Sequence, residues 1–200
     1  MILFLSVNGM KLMNAIFLDL DGVIGSFHDY SDEFIESKIK LLADICHTYN
    51  CVVVISAAAK TGMDYYTCEA ESEWMKEVLS LLKKYNITCI GRTPVVEKKI
   101  RDNAYIGMWK EDEIRLYLCW HPEIKHIVVL DDDDLGEEKS DLKSLKEYLV
   151  KTDYYNEDTS KCGLLPEHKE EIGRILQKKL VIKKFSTVNR RIEYTLPVKL

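Results

Sequence analysis

The sequence predicts an α/β fold, a parallel β-sheet flanked by helices on both faces. Three observations predict it. Short apolar runs alternate along the chain with segments of helical periodicity. Those runs are rich in Val and Ile and do not alternate with polar residues, the mark of strands buried on both faces. And the runs "IFL", "VVVI" and "VVL" lead directly into Asp19, Ser56 and Asp131, at the carboxyl strand ends where such sheets bind ligands.

Taken in order, "AIFLDL" (15–20) is a continuous apolar run of buried-strand length. Residues 32–49 carry Ile35, Ile39, Leu42, Cys46 and Tyr49 at helical spacing. "CVVVIS" (51–56) is the second strand. Trp74, Val78, Leu81, Leu82 and Tyr85 mark a second amphipathic helix ended by Asn86, and "ITCIG" (87–91) is the third strand. A polar, irregular segment runs from Arg92 to about Trp109. A helix with acidic residues in its first turn follows ("EDEIRLYL", 111–118), then the strand "HIVVLD" (126–131). A turn-rich acidic stretch leads to "YLVKT" (148–152), a loop, and a helix from about Pro166 to Leu180. The end, "RRIEYTLPVKL", reads as extended and able to add an edge strand. The chain has no internal repeat and no low-complexity linker.

Two hundred residues suit one domain. Because Met13 is a natural start, residues 1–12 read as an extension, 13–185 as the domain and 186–200 as an extended tail. The composition, 46% apolar and 30% charged, is that of a soluble globular chain. A net charge of −5 excludes attraction of nucleic acid or anionic membrane by the chain as a whole, so such a partner needs a local basic patch. The six cysteines are scattered without a C-x-x-C pair, several within apolar runs, and read as reduced thiols packed as small hydrophobes. The five histidines show no zinc spacing with them. "MILFLSV" lacks the basic residue and the length of a secretory leader, and no stretch approaches a bilayer span. These features predict a cytoplasmic protein.

The chemistry begins at Asp19 and Asp21. Residues i and i+2 of a strand face the same side, so both carboxylates point into the crevice while Leu20 turns towards the core. Gly22 lets the backbone bend sharply and approach a ligand. Two acids in different environments can divide the work, one a metal-bound nucleophile and the other a general acid that becomes a base. With an ordinary Asp pKa of about 3.9, the acid role needs a local shift or a close proton partner. The plainer alternative is an Asx turn or helix cap after a strand.

"FLDLDGV" resembles the first motif of the haloacid dehalogenase (HAD) superfamily, whose phosphatase members carry D-x-D. The resemblance implies a Rossmann-like HAD fold and a phosphoric monoester hydrolase. It implies that Asp19 attacks phosphorus to form an aspartyl-phosphate, and that Asp21 protonates the leaving oxygen and then activates water. It further implies that Ser56 hydrogen-bonds a phosphoryl oxygen. The family's Lys or Arg falls best on Lys110, immediately before "EDEI", with Arg101 and Arg115 as competitors and a solvated surface lysine as the plain alternative. Among Asp131, Asp132, Asp133 and Asp134 the resemblance points to Asp131 and Asp132, with Asp134 in reserve. Such consecutive carboxylates are costly without a cation, and hard oxygen donors suit Mg²⁺, held with Asp19 and the backbone carbonyl of Asp21. Some of the four are expected to be no more than a solvated acidic turn. A response-regulator receiver would need an acid on the third strand, and a Toprim domain a Glu on an earlier one; both fit worse.

The intervals from Asp21 to Ser56 and from Ser56 to Lys110 leave no room for a substantial cap domain, so the site is expected to be open to phosphates on macromolecules. "FLDLDGVIGS", "VVVIS", "IGRTP", "EIRLYL", "VVLDDDD", "YLVKTD" and "GLL" resemble, in order, the capless phosphatase-like domains of Swiss-army-knife RNA repair proteins. This implies a nucleic-acid end phosphate, such as that of RNA, as substrate. The chain departs from that pattern at "AAAK", where a polar segment with an aromatic and an arginine is expected, and at Lys110, where arginine is expected nearby. Cations for RNA are available at Lys178, Lys179, Lys183, Lys184, Arg190 and Arg191, and at Arg92, Lys98, Lys99 and Arg101. Trp109 or Tyr105 could stack on a base, although packing is the commoner use of such rings. A phosphatase for phosphoproteins or small phosphoesters and a non-catalytic phosphate- or metal-binding module stand as the alternatives.

Overall fold

The computed structural model describes residues 12–65, 67–95, 97–101, 104–107, 110–135, 145–178 and 180, with backbone alone at 97–101 and 104–107. Among the described residues, four α-helices and seven strands follow in the order β1 (Met13–Leu18), α1 (Asp32–Tyr49), β2 (Cys51–Ile55), α2 (Glu73–Lys84), β3 (Cys89–Arg92), β4 (Glu97–Arg101), β5 (Ala104–Gly107), α3 (Lys110–Trp120), β6 (Ile124–Asp131), β7 (Leu149–Lys151) and α4 (His168–Leu176).

Five strands make one parallel sheet in the order β3-β2-β1-β6-β7. The chain winds outward from β1 to β3, then returns to lay β6 on the other side of β1. The switch point therefore lies between β1 and β6, where a crevice opens at the carboxyl ends. Ala15, Ile16, Phe17 and Leu18 are all fully buried, so β1 is covered on both faces. Phe17 meets Tyr117 of α3 edge-on, with ring centroids 5.7 Å apart. The α/β architecture expected from the sequence is the one observed.

Local signals explain where the helices start and stop. Ser31 accepts the Phe34 N–H at 3.2 Å and Ser72 accepts the Met75 N–H at 3.2 Å, each capping its helix. Asn50 and Asn86, both at positive φ, close the helices that precede them. The apolar face of α1, with Ile35, Ile39, Leu42, Ala43, Ile45 and Cys46, is buried.

The carboxyl edge of the sheet is level across its strands. Asp19 N–H donates to Leu130 O at 3.0 Å and Ser56 N–H to Leu18 O at 2.7 Å; Thr93 N–H donates to Ile55 O at 2.8 Å and Thr152 N–H to Asp131 O at 2.9 Å. Read across the sheet, that edge runs Thr93, Ser56, Asp19, Asp131, Thr152.

Several expected boundaries shift. The third strand is Cys89–Arg92 rather than 87–91, and Ile87, whose N–H bonds Leu82 O, belongs to the turn after α2. The last helix spans His168–Leu176, shorter than 166–180 at both ends. The segment 92–109, read as irregular, contains an antiparallel hairpin in which β4 pairs with β5. Both strands are short, and β4 is charged at Glu97, Lys98, Lys99 and Arg101, which hides the apolar alternation that marks a strand. This hairpin is the only regular structure described between β3 and α3, and among the described residues neither interval holds a large cap. The 1–11 part of the expected extension, the tail 186–200 with its edge strand, and the side chains of Lys98, Lys99, Arg101, Tyr105, Trp109, Lys179, Lys183, Lys184, Arg190 and Arg191 lie outside the described residues. Among the described residues no helix is long and apolar enough to cross a membrane.

Candidate active site

A crevice of about 490 Å³ opens at the switch point, lined in part by Asp19, Asp21, Lys60, Lys110, Glu113 and Asp132. Its floor is built by strand ends. Asp19, 7% exposed, directs Oδ1 at the N–H of Leu20 (2.9 Å) and Oδ2 at the Lys110 ammonium (2.6 Å). The same ammonium lies 2.6 Å from Oδ2 of Asp131, which is fully buried. Lys110 is the first residue of α3, where the helix dipole disfavours a cation. The two carboxylates outweigh that, and although burial alone would lower it, they hold the Lys110 pKa above its ordinary value.

Burial is the largest influence on Asp19 and raises its pKa; Lys110 opposes it and Asp131 adds to it, leaving Asp19 at about 7. Asp132 is raised too, chiefly by burial. Carboxyl oxygens of Asp19, Asp131 and Asp132 all lie within 4.8 Å of one another. Three hard oxygen donors this close, two of them held above their ordinary pKa, fit a divalent cation such as Mg²⁺.

The other two acids of the run behave differently. Asp133 donates its N–H to Asp131 Oδ1 at 3.0 Å, orienting that carboxylate. Asp134, expected as a reserve ligand, is exposed and pairs at 3.2 Å with Lys151 on the surface, apart from the cluster.

Asp21 stands at the crevice mouth, outside the three-acid cluster, where its Oδ1 accepts the Tyr30 hydroxyl at 2.5 Å. Gly22 sets the turn behind it. Its φ of +76° is left-handed, and a Cβ there would sit 2.4 Å from the Asp132 side chain. Thr152 Oγ1 donates to Gly22 O at 2.6 Å, fixing this turn against β7.

Ser56, next along the strand edge, is fully buried, and its Oγ has no hydrogen-bond partner among the described residues. Thr93 Oγ1 beyond it is in the same condition. An unpaired buried hydroxyl is unfavourable, and two at the carboxyl edge fit a bound oxyanion that would supply the missing acceptor.

Of the competitors for the lysine position, Arg115 is buried and bound to Glu111 within its own helix, with Nε donating at 3.1 Å. Glu111 also accepts Leu145 N–H at 2.8 Å, so this pair anchors the chain after the acidic run.

Sequence reasoning missed three contributors. Lys60, within the "AAAK" stretch, is buried in the crevice and pairs with Glu113 of α3 at 2.8 Å. That pairing joins residues far apart in sequence, and only the acidic first turn of α3 hinted at it. Tyr30 and Tyr154 rim the opening, their hydroxyls 3.0 Å apart; the aromatic run "DYY" (153–155) was the available signal.

The model of one protein family matches residues 15–161, from β1 to the loop before α4; its description is "HAD domain in Swiss Army Knife RNA repair proteins". Comparison with curated proteins and with solved structures finds no match.

Proposed function

The chain belongs to the family of HAD domains in Swiss Army Knife RNA repair proteins, and on that premise we propose that it is a Mg²⁺-dependent phosphatase working through an aspartyl-phosphate on Asp19. The observation that carries this reading is the Lys110 ammonium between Asp19 and Asp131, 2.6 Å from each. One cation there orients a nucleophilic carboxylate and offsets the charge that gathers on the transferring group.

In the first step an Asp19 carboxylate oxygen forms a bond to phosphorus as the bond to the leaving oxygen breaks. Asp21 gives its proton to that oxygen. In the second step Asp21 takes a proton from water, the water oxygen attacks phosphorus, and the bond to Asp19 breaks to release inorganic phosphate. Ser56 Oγ donates to a phosphoryl oxygen, which satisfies its buried hydroxyl. Asp19, Asp131 and Asp132 would hold Mg²⁺, with the backbone carbonyl of Asp21; the ion supplies charge neutralisation on the phosphoryl oxygens. Tyr30 donates to Asp21 and so orients the carboxylate for proton transfer.

The substrate in this reading is a phosphorylated nucleic-acid end, such as that of RNA, admitted because no large cap among the described residues covers the crevice. Cytoplasmic residence belongs to the same reading, since free thiols at Cys46, Cys51 and Cys162 are buried in the core. Phosphate release is the test, measured from a 3′-phosphorylated RNA oligomer, a 5′-phosphorylated one, a phosphopeptide and an aryl phosphate, each with Mg²⁺ and with chelator. Release from an RNA end, lost with chelator, is expected. Release from the aryl phosphate or the peptide alone would keep the chemistry and reject the RNA substrate; no release from any would reject the phosphatase.

A further inference from the structure

Among the described residues, three of the six exposed large hydrophobic side chains gather on one side of the crevice: Phe27 at 61% exposure, Tyr30 at 41% and Tyr155 at 66%. With Tyr154 they form one group of rings. Phe27 lies 5.5 Å from Tyr155 and 6.0 Å from Tyr154, and the two tyrosine rings are 4.7 Å apart. Tyr154 and Tyr155 line the same crevice as Asp19 and Lys110, so the group continues the wall of the site.

The rings come from two separate loops that are tied together. Phe27 N–H donates to Tyr154 O at 3.0 Å, and the Tyr30 hydroxyl bridges Asp21 and Tyr154. Gly25 permits this, since a Cβ there would stand 2.4 Å from the Tyr30 ring. Asp153 Oδ1 accepts the N–H groups of Tyr155 (3.0 Å) and Asn156 (3.1 Å), which fixes the second loop. The exposed faces are thus held in place before any ligand arrives.

We propose that Phe27 and Tyr155 form a stacking platform for the terminal nucleobase of a single-stranded nucleic acid whose end phosphate lies at Asp19. This rests on the phosphatase reading of the site. It also answers how a chain of net charge −5 grips a polyanion. Both lysines lining the crevice are committed to carboxylates, Lys60 to Glu113 and Lys110 to Asp19 and Asp131. Backbone phosphates find no uncommitted cation among the described residues of that lining, whereas every base offers a π-face to an aromatic ring. Recognition is then of the last nucleotide, tolerant of sequence and only weakly dependent on salt.

The test is binding, read by fluorescence anisotropy in the Asp19→Asn background so that no phosphate is released. The probes are a phosphorylated RNA oligomer labelled at its far end, the same oligomer with an abasic terminal nucleotide, and a labelled phosphopeptide. Removing the terminal base is expected to weaken binding about 5- to 150-fold. That difference should collapse in Phe27→Ala and Tyr155→Ala and persist in Tyr155→Phe. Equal affinity for the base-bearing and abasic ends, a difference that survives both alanine variants, or no binding of either oligomer would overturn the proposal. So would tighter binding of the phosphopeptide with the same sensitivity to Phe27→Ala. Aryl-phosphate release by the unmodified chain reports the phosphatase reading separately, so failure there with base discrimination intact leaves the platform standing.

Discussion

The Lys110 ammonium sits 2.6 Å from Asp19 Oδ2 and 2.6 Å from Asp131 Oδ2, joining the ends of β1 and β6 across the switch point of the sheet. Asp131 is fully buried and Asp19 nearly so. The lysine is therefore the counter-charge of a crowded acidic floor and, in the proposed mechanism, the group that steadies a transferring phosphoryl.

Lys110→Ala should accordingly cost stability and activity together. Removing one partner of a buried ion pair costs about 3 kcal/mol, because the carboxylates are left uncompensated. Thermal unfolding of the variant with chelator should show that loss, and Mg²⁺ should recover much of it. Activity should fall at least about 100-fold even with metal present. A variant as stable as the parent in chelator would mean that the ammonium does not neutralise the pair.

Ser56→Ala should separate function from stability. The Ser56 hydroxyl has no partner among the described residues, so deleting it removes a buried unsatisfied group and should leave the melting temperature unchanged or slightly raised. A hydrogen bond to a charged phosphoryl oxygen is worth about 1.5–3 kcal/mol, so kcat/KM should fall roughly 10- to 150-fold. Destabilisation without a catalytic defect would assign Ser56 a structural role.

The raised pKa of Asp19 makes a pH prediction. Burial lifts it in the folded chain from 3.8 to about 7. Its stabilising contribution is therefore present at low pH and lost as pH rises through about 7, because the folded state holds the proton more tightly than the unfolded one. In chelator, the unmodified chain should lose stability relative to Asp19→Asn between pH 5 and pH 8, by an amount on the order of a few kcal/mol. Mg²⁺ favours the ionised carboxylate and should reduce that difference. Parallel melting profiles for the two chains across this range would show that Asp19 is not perturbed.

Gly22→Ala should act on the metal site from behind. The substitution strains a left-handed residue and places a Cβ 2.4 Å from the Asp132 side chain. Asp132 must move, so the Mg²⁺ concentration giving half-maximal activity should rise several-fold, while saturating metal restores part of the rate. An unchanged metal requirement would take Asp132 out of the ligand set.

Much of this site was legible because chain order and sheet geometry coincide there. A parallel strand carries its last residue to the sheet edge, so Asp19, Ser56 and Asp131 could be placed from the apolar runs before them. Lys110 was favoured over Arg101 and Arg115 by the resemblance to a motif that sets a lysine or arginine at the start of the helix before the fourth strand. What stayed hidden depends on contacts between distant segments. "AAAK" read as a departure from the family pattern, yet folding turns Lys60 into the crevice against Glu113. The stacking candidates noted in the sequence were Tyr105 and Trp109, whose side chains lie outside the described residues. The rings at the crevice instead come from two loops, around Phe27 and Tyr154, brought side by side by the Phe27–Tyr154 backbone bond and the Tyr30–Tyr154 hydroxyl contact. The β4–β5 hairpin was missed for a local reason: β4 is charged and β5 only four residues long, so neither shows the apolar alternation by which strands are recognised.

The central claim is that Asp19 carries the phosphoryl group, and trapping tests it most directly. Asp21→Asn should slow the attack of water while an aryl phosphate, whose leaving group needs no acid, still phosphorylates the enzyme. Intact-mass measurement after incubation with aryl phosphate and Mg²⁺ should show the mass of one added phosphoryl group. Peptide mapping should assign it to Asp19, and the adduct should be absent when Asp19→Asn is combined with Asp21→Asn. A chain that turns over aryl phosphate but shows no adduct, or shows it on another residue, would contradict the account.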